Sequence, residues 1–300
     1  MRVKRPLLDP PLIDRAAERR EDALLEEMDA IIVANGALLA AEGRLLVVRP
    51  DDQPPAALRM YVGRDGDRDL AALVPADPGF GQDGDGIGTE RMVALRDLFR
   101  ALSLRGEEGA RDRELASAAV ALSTWHSNHP RCSVCGQDTQ PRQGGWVRFC
   151  DACEKEHYPR TDPAVIVAIT DPDDRLLLAH ASYWSPRRFS HLAGYVEPGE
   201  SLEQAVHREV FEESRLRLRD LTYVGSQPWP FPASIMMGFT AVTDDPAFTL
   251  DENEISDAMW VSRDDLLRVI DEGTVIPAPP GSIARRMFEE WFGGAIPDGI

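Results

Sequence analysis

The stretch GYVEPGESLEQAVHREVFEESRL, residues 194–216, combines six glutamates with apolar residues that recur at helical spacing. Ser201, followed three residues later by Gln204, forms a capping box, in which each side chain satisfies a backbone N–H at the start of a helix. The stretch therefore predicts a loop followed by a helix from about Leu202 to about Ser214. A solvated acidic helix would keep its glutamates apart from its apolar residues, and this one does not.

The predicted helix places carboxylates and apolar side chains on one face. At 100° per residue, Glu209 and Glu213 fall within about 40° of each other, and Glu212 lies at the edge of the same face. The apolar residues on this face are Leu202, Val206 and Val210. Anions that point toward the protein body raise one another's pKa unless a cation compensates them. Because carboxylate oxygens suit Mg²⁺ or Mn²⁺, we predict a divalent-cation site rather than a solvated acidic face.

All four cysteines lie in one short segment, as two C-x2-C pairs separated by fourteen residues. They are Cys132, Cys135, Cys150 and Cys153. Four thiolates on two facing turns form a tetrahedral cage that suits a structural zinc ion and leaves no open coordination position. Two disulfides are the alternative, which a reducing cytoplasm disfavours. His126 and His129 lie just upstream and could replace a thiolate, but with four cysteines present we expect ordinary helix-end histidines.

The composition is that of a globular chain rather than a fibrous or disordered one. Its 300 residues are 43% hydrophobic and 28% charged, and the formal net charge is −18. This charge repels polyanions, so a phosphate-containing substrate requires a metal ion or a local arginine cluster. The N-terminal stretch has no apolar run of signal-peptide length, and no segment approaches membrane-spanning length. We therefore expect a cytoplasmic protein without a membrane segment.

The pattern along the chain predicts three domains, at residues 1–125, 126–160 (the zinc ribbon) and 161–300. In the first domain we predict helices at 14–28, 91–102 and 111–129, a hairpin at 37–50 and a loop at 75–88. In the last we predict strands at 163–170, 176–180, 234–242 and 258–262, and helices at 202–214, 262–270 and 282–292. The predicted fold class is α+β, a sandwich of strands and helices rather than an alternating doubly wound unit.

Residues 194–216 resemble the Nudix box, the loop-helix-loop motif of hydrolases that cleave a nucleoside diphosphate linked to another moiety. The match consists of Gly194, then Glu200 after five residues, then the run REVFEE at 208–213 after seven more. One position departs from the family pattern, because Arg215 stands where the family has glycine. That glycine lies at the helix exit, where a left-handed backbone is common. Arg215 there would cost on the order of 1 kcal/mol without removing a ligand atom.

A second motif, SQPWPFPAS at residues 226–234, narrows the resemblance. Three prolines around Trp229 and Phe231 make a rigid, extended aromatic segment, which suits a pocket for a flat ring. A structural loop with buried aromatic side chains is the alternative. The motif is similar to the signature of bacterial NADH pyrophosphatases, and with the four-cysteine ribbon the resemblance covers roughly residues 125–295. The N-terminal region resembles that family only in position and size.

The resemblance implies a Nudix α/β/α sandwich with a mixed sheet, preceded by a four-cysteine zinc ribbon and an N-terminal α+β domain. It also implies the metal site. Glu209, Glu213 and Glu254 match positions that hold divalent cations, and the carbonyl of Ala193 is an additional ligand. Glu212 belongs to the same catalytic cluster of carboxylates.

Further site residues follow from the same resemblance. Arg208 is expected to orient the glutamates by ion pairing rather than to touch the substrate. The substrate-binding residues that the resemblance implies are Tyr158, Tyr195, Gln227, Pro228, Trp229, Pro230, Phe231, Pro232, Ala233, Ser234 and Ala284.

The function that the resemblance implies is metal-assisted hydrolysis of the pyrophosphate bond of NADH or NAD⁺, which yields AMP and reduced or oxidised nicotinamide mononucleotide. Glu213, or else Glu212 or Glu254, would take the proton of the attacking water. An RNA that begins with NAD could be cleaved at the same bond, and a homodimer is expected. Two alternatives stay open: a broader Nudix hydrolase acting on ADP-ribose or other nucleoside diphosphate derivatives, and a non-catalytic zinc-ribbon scaffold protein.

Overall fold

A computed structural model describes residues 11–80 and 91–299 of the chain. These residues fall into two compact units, one of residues 11–80, 91–160 and 230–233, and the other of residues 161–229 and 234–299. The first unit therefore contains both the N-terminal region and the cysteine-rich ribbon. The division into three domains is not decided by this grouping and stays a prediction.

The first unit is built on a mixed β-sheet. Its described strands are β1 (Asp29–Ala34), β2 (Ala37–Ala41), β3 (Arg44–Leu45), β4 (Val47–Val48), β5 (Ala56–Asp65), β6 (Arg68–Pro75) and β7 (Arg91–Ala94). They pair in the order β3-β2-β1-β6-β5, with β4 beside β1 and β7 beside β2. Only the β1–β6 pair among these is parallel. The predicted hairpin at 37–50 is confirmed by the pairing of β2 with β3.

Two helices follow this sheet, α1 (Leu95–Ser103) and α2 (Gly106–Asn128). Helix α2 buries small residues such as Ala116 and Ala119 together with the larger Leu115, Leu122 and Trp125, and it contacts β1 and β5. The predicted helix at 111–129 is confirmed by α2. None of the helices in the described ranges is both long and apolar enough to cross a membrane.

The ribbon consists of three short antiparallel strands, β8 (Gln140–Arg142), β9 (Val147–Cys150) and β10 (Lys155–His157), in the order β10-β9-β8. A buried arginine, Arg148, fixes it to α2. Its guanidinium donates to the hydroxyl and the carbonyl of Thr139, both at 2.7 Å, and to Nδ1 of His126 at 2.8 Å. Because each partner is a neutral acceptor, this charge is compensated by hydrogen bonds rather than by an ion pair.

The second unit contains a six-stranded mixed sheet within its described residues. Its strands are β11 (Asp162–Thr170), β12 (Leu176–Ala181), β13 (Leu192–Tyr195), β14 (Leu218–Trp229), β15 (Ser234–Thr243) and β16 (Ile255–Val261). Their order is β14-β15-β11-β12-β16, with β13 beside β11. The β11–β15 pair is parallel and the other pairs are antiparallel.

Helices cover both faces of this sheet, so that it forms the middle layer of an α/β/α sandwich. They are α3 (Leu202–Ser214), α4 (Arg263–Asp271) and α5 (Ile283–Phe292). Along β11, Val165 and Val167 pack in one apolar cluster with residues of α3, whereas Ile166 and Ala168 pack in another with residues of α4 and α5. The alternation follows from the two-residue period of a strand. The predicted α+β sandwich is thereby confirmed.

In the first unit, one predicted helix is absent from the described residues, and another begins four residues later than predicted. Residues 14–28 form only two short 3-10 helices, Ala17–Arg19 and Leu25–Glu27, neither of which buries a residue. Without a buried apolar face, the helical pattern has nothing to stabilise it. Residues 91–94 form strand β7, because pairing with β2 overrides their local preference, and the helix begins at Leu95. Most of the predicted loop at 75–88, residues 81–88, lies outside the described residues.

The predicted helix of residues 202–214 is confirmed to the residue, and its exit explains the Arg215 departure. Ser201 and Gln204 form the capping box, and Arg215 adopts a left-handed conformation with φ of 61°. The Arg215 N–H donates to the Phe211 carbonyl at 2.9 Å, which satisfies one of the last carbonyls of the helix. This is the backbone geometry at which glycine is favoured.

Stability measurements on substitutions at residue 215 test this strain. We expect Arg215→Gly to be more stable than Arg215→Ala by about 1 kcal/mol, because glycine adopts the left-handed backbone without a clash of Cβ. Both variants lack the arginine side chain, so its contacts cancel in the comparison. Urea unfolding of the two proteins measures the difference, and equal stabilities would show that the position is not strained.

Candidate active site and metal centres

The four cysteines form a preassembled ligand set. Their sulfur atoms all lie within 4.8 Å of one another, and the four residues are Cys132, Cys135, Cys150 and Cys153. The Cys132–Cys153 and Cys135–Cys150 sulfur distances are 3.5 and 3.4 Å, too long for disulfide bonds. Four thiolates in this arrangement fit a tetrahedral zinc ion and leave no position for substrate, so this centre is structural.

Histidines near the cysteines play different roles from one another. His126 is buried, and this burial lowers its pKa to about 4. Its Nδ1 accepts a hydrogen bond from Arg148, and its Nε2 lies at hydrogen-bond distance from the Gly145 carbonyl. His129 contacts the backbone carbonyl of Trp125 at 3.2 Å. Neither belongs to the cysteine cluster.

His157 was missed by the sequence analysis. Its Nε2 lies 3.2 Å from the Cys132 sulfur, where it can donate a hydrogen bond to the thiolate. Such partners of a metal ligand orient it and tune its charge. The only signal in the sequence was the position of His157 four residues after Cys153.

The glutamates of α3 are organised by one arginine. Arg208 pairs with both carboxylate oxygens of Glu200, at 2.6 and 2.9 Å, and with Glu209 and Glu212, each at 3.0 Å. It also donates to the Tyr195 carbonyl at 2.9 Å. The paired guanidinium lowers the pKa of Glu200 to about 2. Arg208 therefore links the loop before the helix to two carboxylates on it.

Glu209 lies directly over strand β13. A Cβ built on Gly194 would meet the Glu209 carboxyl carbon at 2.0 Å and both carboxylate oxygens at 2.3 Å. Any side chain at residue 194 would therefore displace this carboxylate. Burial and the charges of Glu212 and Glu254 raise the pKa of Glu209, although Arg208 opposes the shift.

Glu213 has the strongest electrostatic perturbation in the cluster. Glu213 is 5% exposed, and its Oε2 is buried with no hydrogen-bond partner among the described residues. Burial, followed by the charges of Glu209, Glu254 and Glu212, raises its pKa to about 8. A buried carboxylate without a partner is unfavourable unless a proton or a cation neutralises it.

The carboxylates fit a hard divalent cation by their donor type. Among the described residues, the four cysteines are the group whose spacing could by itself hold a metal ion. Glu254 nevertheless interacts electrostatically with both Glu209 and Glu213. Ala193 lies in β13, paired with Ile166 and adjacent to Gly194. An all-oxygen set around the unpartnered Oε2 of Glu213 suits Mg²⁺ or Mn²⁺ rather than zinc.

The residues expected at the substrate are spread over both units. In the second unit, Tyr195 is 53% exposed and its hydroxyl lies 3.4 Å from that of Ser234. In the first, Tyr158 is 64% exposed and its hydroxyl donates to Glu156 at 2.5 Å. Two exposed rings of this kind are available for stacking.

The SQPWPFPAS motif is the end of a hairpin rather than one extended segment. Residues 227–229 complete β14, Trp229 pairs with Ser234, and Pro230, Phe231, Pro232 and Ala233 form the turn. Pro228 is exposed at the strand end, paired with Ile235. The turn prolines explain why the ladder stops there, because proline has no N–H to donate. In the first unit, the Arg96 guanidinium lies 5.0 Å from the centre of the Phe231 ring.

Two residues expected at the substrate have structural partners. The Gln227 side chain donates to the Gly281 carbonyl and accepts from the Ile283 N–H, both at 2.7 Å. It thereby holds the N-terminus of α5. Ala284, in the first turn of α5, is buried, and its carbonyl contacts Nε2 of His191 at 3.3 Å. These contacts could not be predicted, because their partners are 54 to 93 residues away along the chain.

The contact between Gly194 and Glu209 predicts a specific effect on cation binding. We expect Gly194→Ala to weaken Mn²⁺ binding by about 10-fold, because the new Cβ displaces the Glu209 carboxylate. Gly294→Ala is a matched control in the same unit, since nothing lies within 4 Å of a Cβ there. Electron paramagnetic resonance of free Mn²⁺ measures the affinities. Equal binding by both variants would contradict the role assigned to Gly194.

The raised pKa of Glu213 predicts that stability falls with pH in protein free of Mg²⁺ and Mn²⁺. Between the unfolded pKa of about 4.3 and the folded value of about 8, the folded state holds more protons than the unfolded state. This contribution is therefore lost as pH rises, by up to about 1.4 kcal/mol per pH unit. Glu213→Gln removes this pH-dependent contribution. The free energy of unfolding of the variant minus that of wild type should therefore be larger at pH 8 than at pH 5.

Urea unfolding of zinc-loaded protein at pH 5 and pH 8 measures this effect. Glu203→Gln changes an exposed glutamate of the same helix and serves as the control. If the stability difference between Glu213→Gln and wild type is the same at both pH values, the carboxyl of Glu213 does not titrate in this range.

Comparison with known proteins identifies the family. Residues 160–279 match the NUDIX domain, and residues 127–158 match the NADH pyrophosphatase zinc ribbon domain. Over 94% of both chains, the sequence is 37% identical to the NAD-capped RNA hydrolase NudC of Mycobacterium bovis (strain BCG / Pasteur 1173P2). It is 41% identical to NudC of Escherichia coli O1:K1 / APEC over 59% of this chain and 65% of that protein. With a Nudix domain, this zinc ribbon and near full-length similarity to NudC, the chain belongs to the NudC family of zinc-ribbon-containing Nudix hydrolases.

Proposed function

We propose that the protein is a NAD(H) pyrophosphatase, which hydrolyses the pyrophosphate bond of NADH or NAD⁺ to AMP and reduced or oxidised nicotinamide mononucleotide. It also cleaves the same bond in RNA that begins with NAD, which releases nicotinamide mononucleotide and leaves a 5′-monophosphate RNA. The observation that carries the proposal is Glu213, a buried carboxylate among other carboxylates on the Nudix-box helix. The zinc ribbon and the relatives named NAD-capped RNA hydrolase support this substrate class.

The catalytic cation is Mg²⁺ or Mn²⁺ in this proposal. Glu209, Glu213, Glu254 and the carbonyl of Ala193 would hold it, in keeping with their oxygen donors. When bound, such a cation offsets the charge of a pyrophosphate and lowers the pKa of a bound water. Zinc has a separate, structural place at the four cysteines.

In this proposal, Arg208 orients the carboxylates of the cluster, and one of the carboxylates accepts a proton. Arg208 holds Glu209 and Glu212 in fixed directions through its ion pairs. Glu213, Glu212 or Glu254 accepts the proton of the water that attacks one phosphorus in line. One P–O bond forms to the water oxygen, and the bond to the bridging oxygen breaks as the other phosphate leaves.

The aromatic residues hold the rings of the dinucleotide in this proposal. Tyr195 and Tyr158 each present an exposed ring for stacking, Trp229 ends β14, and Phe231 lies in the hairpin turn. Gln227 takes a supporting role, because both ends of its amide are engaged by the backbone near α5. These two hydrogen bonds favour a structural role for Gln227. A structural role of the motif is what the alternative of a broader Nudix hydrolase assumes.

Three further features stay proposals, of which the family resemblance implies the first and the sequence pattern the other two. They are a homodimer, a cytoplasmic location and the three domains 1–125, 126–160 and 161–300. Light scattering on the purified protein measures the first of these directly.

Product analysis tests the activity. Wild-type protein incubated with NADH and Mg²⁺ or Mn²⁺ should release AMP and reduced nicotinamide mononucleotide. Glu213→Gln should lower kcat by at least about 100-fold, because it removes a carboxylate from the cluster. Glu203→Gln, on the exposed side of the same helix, should retain full activity.

The same assay separates the alternatives. Cleavage of ADP-ribose without cleavage of NADH would favour the broader hydrolase, and cleavage of neither would favour the scaffold. With NAD-capped RNA as substrate, we expect a 5′-monophosphate RNA product. An intact capped RNA under conditions in which NADH is cleaved would remove the RNA part of the proposal.

A further inference from the structure

The turn that carries Glu254, residues 251–254, is organised by Asp251. Its N–H donates to the Glu213 carbonyl at 3.1 Å, and its own carbonyl accepts from the N–H groups of Glu254 at 3.0 Å and Ile255 at 2.8 Å. Its Oδ1 accepts from the backbone N–H of Asn253 at 3.1 Å and from the Asn253 side chain at 2.8 Å. One residue therefore both ties the turn to the end of α3 and fixes its shape.

Ser182, the first residue after β12, holds the same turn. Its hydroxyl donates to the Asn253 carbonyl at 2.8 Å, and its N–H donates to the Glu254 carbonyl, also at 2.8 Å. Two consecutive peptide carbonyls of the turn are thus fixed by one serine. The backbone of Glu254 is consequently bonded through its N–H to Asp251 and through its carbonyl to Ser182.

A β-bulge lies next to Glu254. Ile255 pairs with Ala181 whereas Asp257 pairs with His180, so Ser256 is the extra residue of β16. Bulges beside active sites redirect neighbouring side chains. The bulge at the start of β16 therefore influences the direction of the chain at Glu254.

The hydrogen bonds of the turn hold Glu254 where the charges of Glu209 and Glu213 repel it. Its carboxylate contributes to raising the pKa of both Glu209 and Glu213, so it lies within their electrostatic range. An exposed acidic side chain on an unconstrained turn would move away from like charges. The hydrogen bonds of the turn oppose that movement.

We propose that Asp251 and Ser182 are positioning residues, which hold Glu254 where it completes the divalent-cation site of Glu209 and Glu213. The inference rests on the proposed function in one respect, namely that Glu254 binds the cation. Neither positioning residue contacts the substrate or the cation in this proposal. Both act through the backbone of residues 251–254, and the Asp251 carboxylate also adds its charge to those that raise the pKa of Glu213.

Mn²⁺ affinity of the substrate-free protein tests this inference. We expect Asp251→Ala to weaken Mn²⁺ binding by about 10-fold, because it removes the acceptor of both Asn253 bonds. Ser182→Ala removes one hydroxyl bond and should weaken binding less. Asp251→Asn keeps an acceptor oxygen and Ser182→Thr keeps the hydroxyl, so each should restore most of the lost affinity.

Ser262→Ala is the control for a purely structural effect. Ser262 caps the N-terminus of α4 by accepting the Asp265 N–H, so its loss should lower the melting temperature without changing Mn²⁺ affinity. Mn²⁺ affinities of Asp251→Ala and Ser182→Ala equal to that of wild type would overturn the inference. So would losses that the Asn and Thr variants fail to restore.

Activity assays separate this inference from the proposed function. In the Asp251→Ala protein, the Mn²⁺ concentration for half-maximal NADH hydrolysis should rise while KM for NADH stays unchanged. A wild-type protein that cleaves neither NADH nor capped RNA would end the proposed function. The Mn²⁺ titrations would still decide whether Asp251 and Ser182 position Glu254.

Discussion

The site depends on one constraint, the burial of the Glu213 carboxylate among other carboxylates. The capping box at Ser201 fixes the start of α3, and the helical period then directs both Glu209 and Glu213 toward the sheet. Arg208 neutralises carboxylates at the edge of the group but has no contact with Glu213. When Glu213 is ionised, Arg208 therefore does not offset its charge, which is the condition for binding an external cation.

The four-cysteine zinc centre and the proposed divalent-cation site differ in the chemistry of their ligands. The cysteine sulfurs already lie within 4.8 Å of one another, since short turns fix them and thiols can approach while protonated. The glutamates offer hard oxygen donors, and their carboxylates repel one another when ionised. A closed sulfur cage suits structure, whereas the oxygen ligands of a hard cation are commonly completed by water and substrate. Ligand chemistry thus separates the two roles within one chain.

Sequence reasoning succeeded where local rules decide the outcome. Capping and helical period gave the bounds of α3, and the αL exit at Arg215 followed from the position of the expected glycine. It was wrong at residues 14–28 and 91–94, where burial and strand pairing decide. It could not find the roles of Ser182 or Gln227, because each depends on partners more than 50 residues away. Such contacts leave no periodic signal.

The energetics of Glu213 also bear on the alternative of a degenerate scaffold. A buried carboxylate with a pKa of about 8 destabilises the folded protein near neutral pH when no cation is bound. A protein that used only its zinc ribbon would gain stability from an apolar or amide side chain at this position. Arg215 is a departure of another kind, because it changes backbone strain and leaves every ligand atom in place. Glu213 is unfavourable when no cation is bound, and Glu209 and Glu212 are present beside it. This combination is typical of a site that functions with a bound cation.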